Sequence, residues 1–128
     1  MGTIGIRVFA CKRRDVERII LRAGSEIVRG SERGVQWFGV EEWEAFAAIR
    51  EMRGGRFRLF NCWVNPRARG CGIGIVLVLF RIEWALLRGA KIIDTRSRRP
   101  QTFASLGFAV GRRYKCGVTH CELRTSPS

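Results

Sequence analysis

The residues whose types and spacing could bind a ligand are concentrated in one glycine- and arginine-rich segment. This segment, residues 64–74, reads Val-Asn-Pro-Arg-Ala-Arg-Gly-Cys-Gly-Ile-Gly. A mostly apolar run, residues 57–64, leads into this segment, and a second, residues 73–87, leaves it. This order predicts a strand, a turn and a helix, so that unpaired amide N–H groups and the positive end of the helix dipole meet at the turn. Because glycine lets a ligand approach the backbone closely, we interpret the segment as a binding site for a diphosphate.

Two well-known phosphate-binding loops do not fit this segment. A Walker loop requires a lysine directly after its second glycine, and the chain has no lysine between Lys12 and Lys91. A dinucleotide-binding loop requires Gly-x-Gly-x-x-Gly, and Ile75 stands where the third glycine should follow Gly70 and Gly72. The segment therefore belongs to another type of phosphate-binding loop.

Residues 69–74, Arg-Gly-Cys-Gly-Ile-Gly, resemble the R/Q-x-x-G-x-G/A loop of the GNAT superfamily of N-acetyltransferases. The preceding Val-Asn-Pro at residues 64–66 is similar to the V-x-P of that family, and Leu-Gly-Phe at residues 106–108 matches its L-G-F. The resemblance covers residues 56–110. It implies a single acyltransferase-like domain over residues 1–128, with an α/β (α+β) fold in which helices flank a mixed, mostly antiparallel central sheet.

The resemblance also implies an activity, which is acyl transfer from an acyl-CoA, usually acetyl-CoA, to an amine whose identity the sequence does not give. The amides of residues 70–75 would bind the CoA diphosphate, the strand edge near residues 62–64 would pair with the pantetheine arm, and an amide at Trp63 or Val64 would stabilise the oxyanion. The residues implied to bind the donor are Cys62, Trp63, Val64, Arg69, Gly70, Cys71, Gly72, Ile73 and Gly74.

Proton transfer is where the sequence departs from the resembled pattern. Phe103 stands where a tyrosine often protonates the leaving thiolate, and phenylalanine has no proton to give. Tyr114, the one tyrosine of the chain, is the candidate that would replace it, with Cys116 or water as alternatives. Glu42 and Glu44 are the candidate general bases, because the family often keeps a carboxylate near these strands. Three further residues stay open as bases: Glu41, Asp94 and His120.

The charge balance favours polyanionic partners. The chain has 24 basic and 11 acidic residues, a formal net charge of +13, and one bound CoA hardly requires such an excess. Basic stretches at residues 12–14, 96–99 and 112–113 are the candidates for contacts with phosphates. The alternative function is therefore a GNAT-fold protein that acts on or binds nucleic acid, with or without acetyltransferase activity. The preference for arginine over lysine is equally well explained by a G+C-rich genome.

The cysteines and the apolar runs bear on location and on metals. The five cysteines are an odd number without a secretory signal before them, which predicts a reducing, cytoplasmic setting. Their spacing lacks the paired pattern of a zinc site, so no metal is expected. No apolar stretch reaches the ~20 residues of a membrane span. The oligomeric state stays open, a dimer included.

The elements that would position these groups follow from apolar periodicity, composition and turn residues. The predicted strands are residues 4–10, 35–40, 43–52, 56–64, 91–95, 109–115 and 118–124, and the predicted helices are residues 13–23, 72–88 and 101–106. The composition of residues 43–52 favours a helix, but the resembled fold has a strand there, and we choose the strand. The polar segment 25–34 corresponds to the part of the family that shapes the acceptor site, and its shortness implies an open acceptor side.

Overall fold

A computed structural model describes residues 6–23 and 32–125, with the side chains of residues 20–23 left out. Within these ranges the chain forms seven strands and three α-helices. In chain order they are β1 (Val8–Cys11), α1 (Arg13–Ala23), β2 (Val35–Val40), β3 (Ala45–Glu51), β4 (Arg56–Val64), α2 (Ile73–Leu87), β5 (Ile92–Ser97), α3 (Pro100–Ser105), β6 (Ala109–Arg113) and β7 (Thr119–Arg124).

The strand chosen for residues 43–52 is confirmed as β3. Five consecutive residues, Ala45–Ile49, are buried, because packed layers cover both faces of this strand. Burial on both faces gives a continuous apolar run instead of an alternating one, and tertiary packing here overrides the helix propensity of alanine and glutamate.

The other predicted boundaries agree with the structure to within a few residues. The bounds of α1, β2 and β4 are as predicted. Strand β5 extends to Ser97, two residues further than predicted, because its last residues pair with β7. Strand β6 ends at Arg113, since the chain turns at Tyr114 to form a hairpin with β7. Strand β1 begins at Val8, later than predicted, and residues 4–5 of that predicted strand and residues 25–31 of the predicted polar segment lie outside the described residues.

The strands form one sheet in the order β1-β2-β3-β4-β5-β7-β6. All neighbouring pairs are antiparallel except β4 and β5, which are parallel and are joined by α2. A parallel pair requires a long crossover, and the 15-residue helix α2 supplies it. This is the mixed, mostly antiparallel sheet that the sequence predicted.

Helices cover the two faces of the sheet. On one face, the apolar side of α2 packs at Leu77 against Leu59 and Ile93, and all three side chains are almost completely buried. On the other face, Val16 of α1 packs against a cluster that includes Trp37. The core therefore lies on both sides of β2, β3 and β4, and it fixes the strand that leads into the glycine-rich segment.

Helix α2 is apolar on its outer side as well as on the side that faces the sheet. The outward residues Ile75, Leu79, Leu86 and Leu87 are 44%, 49%, 48% and 82% exposed. Among the described residues, no helix combines the length and the apolar content needed to cross a bilayer.

Candidate active site

Strand β4 carries a bulge just before its end. Ala48 pairs with Phe60 and Phe46 with Trp63, so that one residue of β3 lies opposite two residues of β4, Asn61 and Cys62. Asn61 has a φ of 51°, in the left-handed region that asparagine tolerates better than most residues. Because a bulge bends its strand and raises the local twist, the last residues of β4 turn away from the regular sheet.

Strands β4 and β5 separate at the same level. Their parallel pairing runs from Arg56 with Ile92 to Leu59 with Thr95, although β4 continues to Val64. At the last paired position, the Thr95 hydroxyl donates a hydrogen bond of 3.2 Å to the carbonyl of Leu59. Beyond it, the β4 backbone has an edge that pairs with no part of β5. Such an edge can bind an extended chain containing amide groups.

The loop after β4 is held by hydrogen bonds to strand ends. The Asn65 amide donates to the Glu44 carbonyl at 2.7 Å, and the Asn65 side chain accepts from the Arg67 amide at 3.1 Å. The Arg69 Nε donates to the Val64 carbonyl at 3.1 Å. These contacts bring the loop back over the end of β4, so that α2 begins beside the open strand edge.

The N-terminus of α2 is open. The first helical hydrogen bond runs from the Val76 amide to the Gly72 carbonyl, and the amides of residues 70–75 donate no hydrogen bond within the described part of the chain. Gly70 and Gly72 have φ values of 86° and 80°, and a Cβ at either position would meet no atom within 4 Å. Unpaired amides, the helix dipole and the exposed Arg69 together suit an anion.

The remaining predicted donor residues lie around this opening. Cys62 and Cys71 are exposed, and Trp63 stacks on Phe46 with ring centroids 5.5 Å apart. The Ile73 side chain is buried in the core, so Ile73 offers only its backbone to a ligand. The structure thus brings the predicted donor residues together at the ends of β4 and of the loop.

The two predicted bases differ in surroundings. Glu42 is exposed, and it and Trp43 both have left-handed backbone angles, with φ values of 62° and 56°. Glu44 lies next to Ala45, which pairs with Val64, at the end of β4 where the loop begins. Its Oε1 lies 3.6 Å from a guanidinium nitrogen of Arg67, while its Oε2 is buried and has no hydrogen-bond partner among the described residues.

The predicted acid lies in the hairpin of β6 and β7. Two guanidinium groups lie near the Tyr114 ring. The guanidinium carbon of Arg96 is 5.1 Å from the ring centroid, and that of Arg112 is 5.6 Å from it. Its amide donates to the Val118 carbonyl. These contacts join Tyr114 to β5, β6 and the hairpin turn. Phe103 packs edge-on against Phe108 with centroids 5.2 Å apart, so its ring belongs to the core.

Asp94, one of the open alternatives for the base, belongs to a charged cluster on β4, β5 and β7. Its Oδ1 accepts from the Arg58 Nε at 2.8 Å, and its Oδ2 accepts from Arg56. Burial by itself raises the pKa of this carboxyl, but the hydrogen bonds and charges of Arg58 and Arg56 outweigh burial and hold the pKa below its ordinary value. The hydrogen bond to Asp94 in turn raises the pKa of Arg56.

The same cluster contains three groups that could ligate a metal, Asp94, His120 and Glu122, with ligand atoms within 4.8 Å of one another. Two guanidinium groups already occupy the Asp94 oxygens, and their positive charges disfavour a divalent cation. The arrangement therefore suits an ion-pair network better than a metal centre.

One buried charge near the site was missed in the sequence. Arg81 of α2 is 1% exposed, and it donates from Nε to the Leu77 carbonyl at 3.1 Å and from Nη1 to the Ala48 carbonyl at 3.0 Å. The available signal was its position as the first charged residue after an apolar run, residues 73–80, in the middle of the longest helix.

Comparison with known proteins gives a likeness of structure. No family model and no curated protein matches the chain. Among solved structures, it is similar to the ribosomal-protein-S18-alanine N-acetyltransferase of Escherichia coli, with a TM-score of 0.75 and 17% identity over 97% of this chain and 96% of that one. It is also similar to a GNAT-family acetyltransferase of Staphylococcus aureus, with a TM-score of 0.70 and 13% identity over 94% and 99% of the two chains.

A third similar structure is a Bacillus subtilis acetyltransferase in complex with CoA, with a TM-score of 0.69 and 13% identity over 95% of this chain and 100% of that one. All three likenesses extend over nearly the whole of both chains. The resemblance inferred from the glycine-rich segment is therefore confirmed, and the protein has the fold of the GNAT acetyltransferases.

Proposed function

We propose that this protein is an acyl-CoA-dependent N-acyltransferase, a single domain over residues 1–128 that transfers an acetyl group from acetyl-CoA to an amine. The observation that carries the proposal is the separation of β4 from β5 beyond Leu59 and Thr95, directly before an open helix N-terminus. The first feature suits the amide-containing arm of CoA and the second suits its diphosphate.

The donor is held by backbone groups. The amides of residues 70–75 bind the diphosphate, and the charge of Arg69 adds to the attraction. The edge of β4 at Cys62, Trp63 and Val64 pairs with the two amides of the pantetheine arm. Support comes from the similar Bacillus subtilis structure, which contains CoA. Binding through backbone amides makes few demands on side chains beyond the glycines that leave the amides accessible.

The reaction forms a C–N bond and breaks a C–S bond. The amine, after losing a proton, attacks the thioester carbonyl, and the carbonyl oxygen becomes an oxyanion that the Trp63 or Val64 amide stabilises. One such donor contributes roughly 3 kcal/mol to transition-state stabilisation. The intermediate then expels CoA as a thiolate, which takes a proton. In this proposal, the donating amide lies on the open edge of β4, beside the bound thioester.

Glu44 is the stronger of the two candidate bases. It directly precedes the first residue of β3, next to the pair of Ala45 with Val64, and its buried Oε2 lacks a hydrogen-bond donor within the described residues. The side chain as a whole is 28% exposed, so an acceptor amine can approach the carboxylate and lose its proton to it. Glu42 is exposed and has no such feature. Tyr114 stays a prediction as the acid, supported by sequence alone.

The cellular location and the possible nucleic-acid partner are part of the same proposal. All five cysteines are free, in keeping with a reducing, cytoplasmic location. The nucleic-acid alternative rests on the +13 charge, and the basic residues Arg96 and Arg112 lie together around Tyr114. It stays a prediction, which filter binding to duplex DNA and to RNA at two salt concentrations would test.

Alkylation of cysteines tests the donor site. Cys62 and Cys71 are exposed beside the proposed site, while Cys116 is exposed in the β6–β7 turn and serves as the internal control. We expect acetyl-CoA to slow the reaction of Cys62 and Cys71 with iodoacetamide and to leave that of Cys116 unchanged, as measured by peptide mass spectrometry. Thiol release from acetyl-CoA in the presence of a panel of amines then tests turnover. If millimolar acetyl-CoA changes the reaction rate of none of the three cysteines, the proposed function is wrong.

A further inference from the structure

Arg81 is an unusual side chain for the centre of a protein. It is 1% exposed, and its two assigned hydrogen bonds go to backbone carbonyls, those of Leu77 and Ala48. Among the described residues no carboxylate forms an ion pair with it. Burial of a charge without a counter-ion is costly, and neutral carbonyls compensate for only part of that cost.

The guanidinium lies next to the β4 bulge. Ala48, whose carbonyl it binds, is the β3 residue at which the regular pairing with β4 is interrupted. The guanidinium is therefore bound at the point of β3 where the bulged residues Asn61 and Cys62 of β4 interrupt the regular pairing. Burial lowers the pKa of Arg81, and a charge interaction with Cys62 opposes this effect, which agrees with a guanidinium that faces the bulge.

The bulge is also where the proposed reaction creates negative charge. The oxyanion, and then the CoA thiolate, would form beside Cys62 and Trp63, which follow Asn61 on the open edge of β4. Tyr114, the predicted proton donor, has its contacts with Arg96 of β5 and within the β6–β7 hairpin. In the described part of the free protein, Arg81 is a fixed cation without a paired anion, and it lies beside the place where an anion forms during the reaction. This is the condition for electrostatic preorganisation.

We infer that Arg81 is a fixed positive charge that stabilises the thiolate leaving group at the β4 bulge, so that the C–S bond breaks before the sulfur is protonated. The inference rests on the proposed function. The electron pair of the C–S bond goes to sulfur, the acetyl group stays on the amine, and the thiolate takes its proton from water after release. Arg81 touches no substrate. It acts through space and through the bulge that it holds, and it is therefore a positioning residue.

The test measures the affinity of the full chain for CoA and for desulfo-CoA, which lacks the sulfur, between pH 6.5 and 9.5. A free thiol ionises near pH ~8.5. If the site stabilises the thiolate, the bound thiol ionises at lower pH, and the affinity for CoA rises with pH while that for desulfo-CoA does not. A bound pKa one unit lower gives about a tenfold gain in the ratio of the two affinities over this range.

Two variants separate charge from structure. We expect Arg81→Met to bind desulfo-CoA as the wild type does and to lose the pH-dependent gain for CoA, and Arg81→Lys to retain part of the gain. The matched control is Arg88→Met, which removes the same charge from an exposed position directly after the last residue of α2 and should behave as wild type. Circular dichroism checks that each variant folds.

The wild-type result decides the inference even if Arg81→Met does not fold. If the ratio of the wild-type affinities for CoA and desulfo-CoA is the same at every pH, the inference is wrong and the proposed function stands. If Arg81→Met folds and keeps the full gain, the inference is also wrong. If wild type binds neither compound, the proposed function fails, and this inference fails with it.

Discussion

Replacement of Gly72 by aspartate should weaken donor binding at least tenfold without unfolding the protein. Gly72 precedes the first residue of α2 with a φ of 80°, and a Cβ there would point into open space. An aspartate at this position therefore places a carboxylate in the space that the diphosphate would occupy. The fold loses little, because no neighbouring atom has to move and a negative charge at a helix N-terminus is itself favourable.

The expected loss of donor affinity follows from the charges and the distance between them. Two like charges 5 Å apart repel by about 0.8 kcal/mol in water and by about 3 kcal/mol at an effective dielectric constant of 20. The diphosphate brings two charges, so even the water value predicts a loss of roughly 1.7 kcal/mol, which is more than tenfold in affinity. The left-handed backbone adds about 1–2 kcal/mol of strain to the folded state for a residue other than glycine.

A second glycine provides the control for this strain. Gly54, in the turn between β3 and β4, has a φ of 70° and equally open space at its Cβ. Gly72→Asp and Gly54→Asp therefore share the backbone cost and the added charge, and they differ only in position. Isothermal titration with acetyl-CoA and the midpoint of urea unfolding are measured for both. We expect similar midpoints, and at least tenfold weaker binding in Gly72→Asp alone. Equal affinity in the two variants would refute the assignment of the donor site to the start of α2.

Three further results are expected. Glu44→Gln should lower kcat/KM by about 10²–10⁴ with little change in thermal stability, because the amide keeps the shape of the carboxylate but cannot take a proton, and an unchanged rate would exclude Glu44 as the base. Asp94 has a pKa below its ordinary value, so its ion pairs stabilise the fold at neutral pH, and that stabilisation is lost as the pH falls below about 4. Urea unfolding of Asp94→Asn between pH 3 and 7 should give a free energy of unfolding that is lower than wild type by up to about 3 kcal/mol at pH 7. The variant should also lose the fall in this free energy that wild type shows at acid pH. If the variant keeps the same pH dependence as wild type, the argument is refuted. Leu77 is completely buried, and Leu77→Ala should cost about 2–5 kcal/mol of unfolding free energy, a smaller loss indicating that the site collapses around the cavity.

Local sequence was sufficient to predict the elements that flank the site. The apolar run up to Val64, the glycines that follow and the apolar run from Ile73 specify a strand, a loop and a helix, and the structure confirms all three. These features depend on residues that are neighbours in the chain. The resemblance then supplied the mixed, mostly antiparallel sheet, but not which two strands are parallel, because local sequence does not determine strand pairing.

The features that shape the site in detail depend on partners distant in sequence. Asn61 looks like any polar residue of a strand, and its left-handed backbone appears only when its pairing with β3 is known. Arg81 resembles a solvent-exposed charge on a helix until Ala48 is placed beside it. Thr95 closes the last paired position through the Leu59 carbonyl, 36 residues away in the chain. Each of these contacts is set by register and packing, which one sequence without an alignment does not reveal.

The apolar outer side of α2 has a practical consequence for handling the protein. At low ionic strength, copies that each carry a net charge of +13 repel one another and keep Ile75, Leu79 and Leu87 of separate molecules apart. Added salt shortens the screening length to about 3 Å at 1 M and at the same time strengthens the attraction between apolar surfaces. The concentrated salt often used to strip nucleic acid from basic proteins should therefore promote self-association, and light scattering during a salt titration would show particle size increasing with ionic strength.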